Sequence, residues 1–168
     1  MTTYTVLPII MPSDLAGQKN GEINPSLLRD IKAPGGKLHR LAATAWNAMQ
    51  LAAYFDGIEL KHVGAYRPLP EQIKLFNARY EAAPTGRTPQ VTRTYQGKTW
   101  YLKKGVSPAA SPGTSNHGYG LAVDLDVSNP KVYAWLDANA PAFGFYLQGK
   151  PTLPGGRKNP EFEAWHWQ

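Results

Sequence analysis

Residues 121–127, Leu-Ala-Val-Asp-Leu-Asp-Val, alternate strictly, and this stretch constrains the fold of the 168-residue chain more than any other. On an extended backbone Leu121, Val123, Leu125 and Val127 share one face, while Ala122, Asp124 and Asp126 share the other. Such a strand can bury its aliphatic face in a core. Its other face presents carboxylates over a small residue that leaves room for a partner.

The remaining pattern supplies that core. Lys37–Phe55 reads as the clearest helix: Leu38, Leu41, Ala42, Ala45, Trp46, Met49 and Ala52 form one apolar stripe, and Gly57 follows as a stop. Pro68–Tyr80 reads as a second helix with prolines only in its first turn, and Lys131–Asn139 as a third. Strands are expected at Ile58–Tyr66, Gly144–Leu147 and Trp165–Trp167, with a hairpin over Thr92–Leu102 turning at Gln96-Gly97. Lys104–Thr114 and Pro151–Pro160 read as loops. Residues 1–36 read as an extended arm with a short helical turn near Ser26–Asp30. Helices first and strands mostly later predict an α+β domain, helices packed on a small antiparallel sheet, over residues 1–168.

Composition removes several classes of chemistry. No cysteine is present, so disulfides, thiolate metal ligands and a cysteine nucleophile are excluded together. There are 18 Lys+Arg against 12 Asp+Glu, a net charge of +6, which serves solubility or attraction to a polyanion such as an anionic cell wall. No basic run exceeds a pair such as Lys103-Lys104, so no nucleic-acid partner is expected. The N-terminal residues lack a basic region and are broken by Pro8, which predicts no signal peptide. No segment is long enough for a membrane span.

The chemistry concentrates in two places: Ser115-Asn-His117-Gly-Tyr-Gly120-Leu-Ala-Val-Asp124, and Glu163-Ala-Trp-His166. Two His, one Asp and a spare Glu suit a catalytic zinc site, which uses three protein ligands and keeps a fourth position open. The leftover carboxylate can then move a proton. His117 precedes the strand through two glycines that permit a tight turn, which can bring it back beside Asp124. Taken alone, both could instead be a loop histidine and a capping carboxylate. A third ligand must come from His39, His62 or His166. His39, on the long helix, and His62, between Lys61 and Val63, read as ordinary surface or partly packed residues. His166 lies between Trp165 and Trp167, and reads either as a ligand in a low-dielectric setting or as a packed histidine. Glu163 and Glu161 compete as the base.

These strings resemble two signatures of the zinc D-alanyl-D-alanine carboxypeptidase family. That family includes VanY-type carboxypeptidases, vancomycin-resistance D-Ala-D-Ala dipeptidases and L-alanyl-D-glutamate endopeptidases of phage endolysins. SNHGYGLAVD is similar to its S-x-H-x-x-G-x-A-x-D signature, and EAWHW to its acidic residue three before a His flanked by aromatics. Tyr66-Arg67 with Gln72 resembles a third feature, an Arg at a strand end followed five residues later by Gln. The resemblance covers roughly Tyr66 to Trp167, and residues 81–114 carry no motif of the family.

The resemblance implies a compact fold shared with hedgehog signalling domains, and zinc held by His117, Asp124 and His166. It implies Glu163 as general base and then acid, Arg67 as stabiliser of the oxyanion, and Gln72 and Ser115 as residues that contact substrate or orient the site. The expected partner is the peptidoglycan stem peptide, met by a monomer. The Arg67/Gln72 spacing and the missing signal peptide lean towards an L-alanyl-D-glutamate endopeptidase of the endolysin type, reaching the wall through a holin-type lesion. A D-alanyl-D-alanine carboxypeptidase is the alternative, and a non-catalytic wall-binding module of the same fold a further one.

Overall fold

The computed structural model describes residues 10–32 and 35–168. Its architecture is α+β, with three helices and three small antiparallel sheets among the described residues. In chain order the regular elements are β1 (Leu28–Asp30), β2 (Lys37–His39), α1 (Arg40–Phe55), β3 (His62–Gly64), α2 (Leu69–Arg79), β4 (Tyr80–Glu81), β5 (Thr92–Tyr95), β6 (Lys98–Leu102), β7 (Val123–Leu125), α3 (Pro130–Asn139) and β8 (His166–Trp167). No described helix is long and apolar enough to cross a membrane.

The central sheet has the order β3-β7-β8. Its middle strand lies within the expected Leu121–Val127, trimmed to Val123–Leu125, and Val123 and Leu125 are fully buried. They pack with Trp46 and Met49 of α1, Leu136 of α3 and Trp167 of β8 in the main core. Asp124 points to the opposite face, as period-two alternation requires. The expected strands Ile58–Tyr66 and Trp165–Trp167 contract to β3 and β8. Gly144–Leu147 is not a strand: only Leu147 bridges to Trp167, although Tyr146 exchanges two backbone hydrogen bonds with Gln168.

The N-terminal half departs most from the pattern. Lys37–His39 is a strand, not the first turn of the helix, because it pairs with Leu28–Asp30 in the register Leu28↔His39 and Asp30↔Lys37. Leu38 is fully buried from that strand, whereas Leu41 is 52% exposed; the buried face of α1 runs through Ala43, Trp46, Met49 and Ala53. Tertiary pairing overrides helix propensity here. The arm is not extended either. Leu15, Ile23 and Leu28 join Leu121 in a satellite core, and the helical turn sits at Pro25–Leu27, ahead of β1. Residues 1–9 and 33–34 of the expected arm lie outside the described residues.

A second layer is built by α2 and the sheet β4-β6-β5. The hairpin turns at Gln96-Gly97 as expected, with φ of 51° and 70°, the two positive values that a tight two-residue hairpin turn demands. Phe76 stacks on Tyr80 at 4.6 Å and is flanked edge-on by Tyr95 and Trp100. This layer ties down the Lys104–Thr114 loop. Arg79 Nη1 donates to the Pro108 carbonyl at 2.7 Å, Tyr80 Oη to Ala109 at 2.9 Å, and Gln72 Nε2 to Ala110 at 2.8 Å. A loop rich in Gly, Pro and Ser thereby becomes one wall of a cleft.

Candidate metal centre and catalytic site

Strand register sets the site. In the central sheet Asp124 faces Gly64 on one side and His166 on the other. His117 arrives from a 3-10 helix at Asn116–Tyr119, which ends at Gly120 with φ 67°. A Cβ at Gly120 would meet the His39 backbone nitrogen at 2.6 Å, so both the left-handed conformation and the close approach call for glycine. The Arg67 backbone N–H donates to the His117 carbonyl at 3.0 Å, fastening the start of α2 to the same turn.

The three side chains converge on one point. His117 Nε2 lies 3.1 Å from Asp124 Oδ1, His166 Nδ1 3.0 Å from the same oxygen, and the two nitrogens 3.2 Å apart. A tetrahedral zinc with bonds of about 2.0–2.1 Å needs ligand atoms roughly 3.3 Å from one another. Outer contacts agree. His117 Nδ1 is 2.8 Å from the Ala65 carbonyl, which only accepts, so Nδ1 carries the proton and Nε2 presents a lone pair. His166 Nε2 is 3.1 Å from Gln168 Oε1, which leaves Nδ1 as the lone pair. Three lone pairs brought together in a buried site fit a cation, and two imidazoles with one carboxylate suit zinc.

Charge follows burial. Desolvation holds His117 below the usual imidazole range, although Asp124 opposes the shift. Burial would raise the Asp124 carboxyl, but hydrogen bonds from His117 and His166 outweigh it and leave the group well below the ordinary carboxylate range. For His166 burial pulls down, while Asp124, Gln168 and Glu163 outweigh it and leave the group raised. Glu163 lines the same cavity of about 390 Å³ and is pushed above its ordinary value, chiefly by burial. Its rival Glu161 sits at the rim, gripped by Arg93 at 2.6 Å. Half-buried in the ligands' cavity and with its carboxyl raised, Glu163 has the environment that proton transfer calls for, more so than Glu161.

Arg67 also faces the cavity. Its Nη1 donates to Gln72 Oε1 at 3.0 Å and its Nη2 lies 3.4 Å from Asp124 Oδ2. Gln72 is 2% exposed, and its Oε1 braces the arginine from behind. Ser115 lines the cavity at the foot of the His117 turn, its carbonyl held by Asn20 Nδ2 at 2.7 Å.

His39 and His62, the other candidate ligands, are both buried and both remote from this centre. His39 lies against Asp14 at 3.1 Å, and His62 meets Trp46 edge-on at 5.9 Å. Burial exceeds the surface or partial packing expected of them. The two tryptophans beside His166 part because only one belongs to β8: Trp167, within the strand, packs in the core, whereas Trp165, in the turn before it, lines the cleft. Asn20, Ala65, Asn116 and Gln168 were invisible to motif reading. Only Gln168 carries a local signal, since it lies two residues beyond His166 along the same strand direction.

Gly64 offers a test of the ligand geometry. A Cβ there would stand 2.9 Å from Asp124 Oδ2. Overpacking of this kind costs about 1–3 kcal/mol, so Gly64→Ala is expected to weaken zinc binding about tenfold or more in competition with a chelator. Unchanged affinity would argue against Asp124 as a ligand.

The VanY family model, described as D-alanyl-D-alanine carboxypeptidase, matches residues 35–168. A D-alanyl-D-alanine carboxypeptidase of Enterococcus faecalis (strain V583) is 31% identical over 128 residues, which is 70% of this chain and 42% of that protein. Among solved structures, VanYB in complex with D-alanine-D-alanine aligns at 23% identity and a TM-score of 0.57, over 84% of this chain and 75% of its own. A substituted form of the vancomycin-resistance D,D-pentapeptidase VanY, in complex with Zn(II), aligns at 23% identity and 0.57 over 84% and 76%. The LdcB LD-carboxypeptidase aligns at 24% identity and 0.60 over 88% and 70%. At such identities the structures establish a shared fold, and the chain spans 42% of the curated relative's length. With the family model matched from residue 35 to residue 168 and its His, Asp and His gathered at one point, the chain belongs to the VanY family of D-alanyl-D-alanine carboxypeptidases.

Proposed function

We propose that this chain is a zinc-dependent peptidase of the peptidoglycan stem peptide, acting as a carboxypeptidase that removes a terminal D-Ala. The observation that carries the reading is the convergence of His117 Nε2, Asp124 Oδ1 and His166 Nδ1 in the cavity that the half-buried Glu163 also lines. The Zn(II) complex of one relative and the D-alanine-D-alanine complex of another support the metal and the substrate class. The ligands come from the central sheet and the turn before it, while Gln72, which holds Arg67, comes from α2 of the second layer; a site shared in this way supports a single peptidase domain over residues 1–168.

Zinc held by the three ligands would polarise the scissile carbonyl and bring the pKa of a water down towards about 7. Glu163 takes the proton released as the water oxygen bonds to the carbonyl carbon. The same carboxyl then returns that proton to the amide nitrogen as the C–N bond breaks, giving a carboxylate and a free amine. Arg67, held by Gln72, supplies fixed positive charge to the oxygen that turns anionic. Ser115, on the cavity wall, contacts the substrate backbone.

One observation favours the second reading, the L-alanyl-D-glutamate endopeptidase. A cleft of about 940 Å³ continues from the site past Arg67, Leu75, Arg79, Asp124 and Trp165, leaving room for peptide on both sides of the cut. Release through a holin-type lesion belongs to that reading. The family match and the carboxypeptidase relatives weigh towards the first.

Mass spectrometry of peptidoglycan digested by the zinc-loaded protein separates these readings. Loss of one D-Ala per stem is expected. A new D-Glu N-terminus would establish the endopeptidase instead. Binding to the wall with no bond cleaved, with or without a chelator, would leave only a binding module.

A further inference from the structure

We propose that Gln168, steered by Asn116, is a positioning residue that sets which nitrogen of His166 is offered to the metal. The inference rests on the zinc reading above and concerns a residue outside the motifs. Imidazole has two neutral tautomers, and only the one protonated on Nε2 leaves Nδ1 free to bind a cation. His166 points Nδ1 at the other ligands and Nε2 at Gln168 Oε1, 3.1 Å away. An amide side chain could present either its oxygen or its NH₂ there, and the wrong face would favour the wrong tautomer.

Asn116 decides which. Its Nδ2 donates to the same Gln168 Oε1 at 2.6 Å, so the oxygen faces both donors. Asn116 immediately precedes His117, so one short turn supplies one ligand and governs the tautomer of another. The Gln168 backbone is itself fixed by the reciprocal hydrogen bonds with Tyr146, Gln168 N–H to Tyr146 at 3.0 Å and Tyr146 N–H to Gln168 at 2.9 Å.

Three variants test this in otherwise intact protein: Gln168→Met, similar in length without the amide; Gln168→Glu, which can only accept when ionised; and Asn116→Ala. Zinc affinity is read by competition with a chromophoric chelator. The tautomer is read by ¹⁵N NMR of metal-free protein at a pH above the imidazolium range, and thermal melts of the same samples report folding. Gln168→Met is expected to lose about 10–100-fold in zinc affinity and its Nε2–H signature, with its melt retained. Gln168→Glu is expected to keep the tautomer and bind zinc at least as tightly as the parent, and Asn116→Ala to fall between. Parent-like zinc affinity and tautomer in Gln168→Met would overturn the inference while the zinc reading stands. So would a loss in Gln168→Glu as large as in Gln168→Met, which would indicate packing alone. A parent protein that binds no zinc would overturn both.

Discussion

Glu163→Gln is expected to leave zinc bound and to lower kcat/KM by about 10²–10⁴-fold, the usual contribution of a positioned general base. The amide keeps the size of the side chain and removes its proton affinity. The parent should also show a marked acid limb. Glu163 works as a base only when ionised, and burial raises its carboxyl above the ordinary 4.5. The ionised fraction is therefore lost as pH falls through a value above 4.5, and activity falls with it. Hydrolysis and zinc content measured side by side decide the matter. A Glu163→Gln enzyme with the parent's rate would move the base elsewhere. Glu161→Gln serves as the control and is expected to stay near the parent, because Glu161 is held at the rim by Arg93.

His117→Ala is expected to lose both zinc and activity, the second large effect. The change removes Nε2 from a three-ligand set and strands the buried Ala65 carbonyl that Nδ1 now satisfies. Removing an outer partner of a metal ligand costs about 10–100-fold in affinity; removing the ligand itself should exceed that in chelator competition. The lost hydrogen bond adds about 1–3 kcal/mol of instability, visible as a lower melting temperature even without metal. Tight zinc binding by His117→Ala would mean that the metal sits elsewhere. The two variants differ in kind: one keeps the metal and stops proton transfer, the other loses the centre.

Much of this was legible before any coordinates. Residues 121–127 announce which side of the strand carries Asp124, and the hairpin turn at Gln96-Gly97 falls where two positive φ values are needed. The two histidine motifs and Arg67 name the groups that meet at the site. Errors gathered where the chain makes distant pairings. Leu38 continues an apolar helical stripe, yet Leu28–Asp30 captures it as a strand. Residues 13–31, polar and without periodicity, still bury Leu15, Ile23, Leu28 and Ile31 because partners such as Leu121 exist only after folding.

The same divide runs through the chemistry. Residue type and local period are properties of neighbouring positions, so they already contain the donor set, the face of Asp124 and the absence of thiolate chemistry. The proposed choice of His166 over two other buried histidines, of Glu163 over Glu161, and of Gln72 as the support of Arg67 depends on separations of up to 68 residues along the chain. Those choices arise from strand register and burial, because a ligand's tautomer and a carboxyl's proton affinity respond to atoms a few ångströms away and not to their distance in sequence.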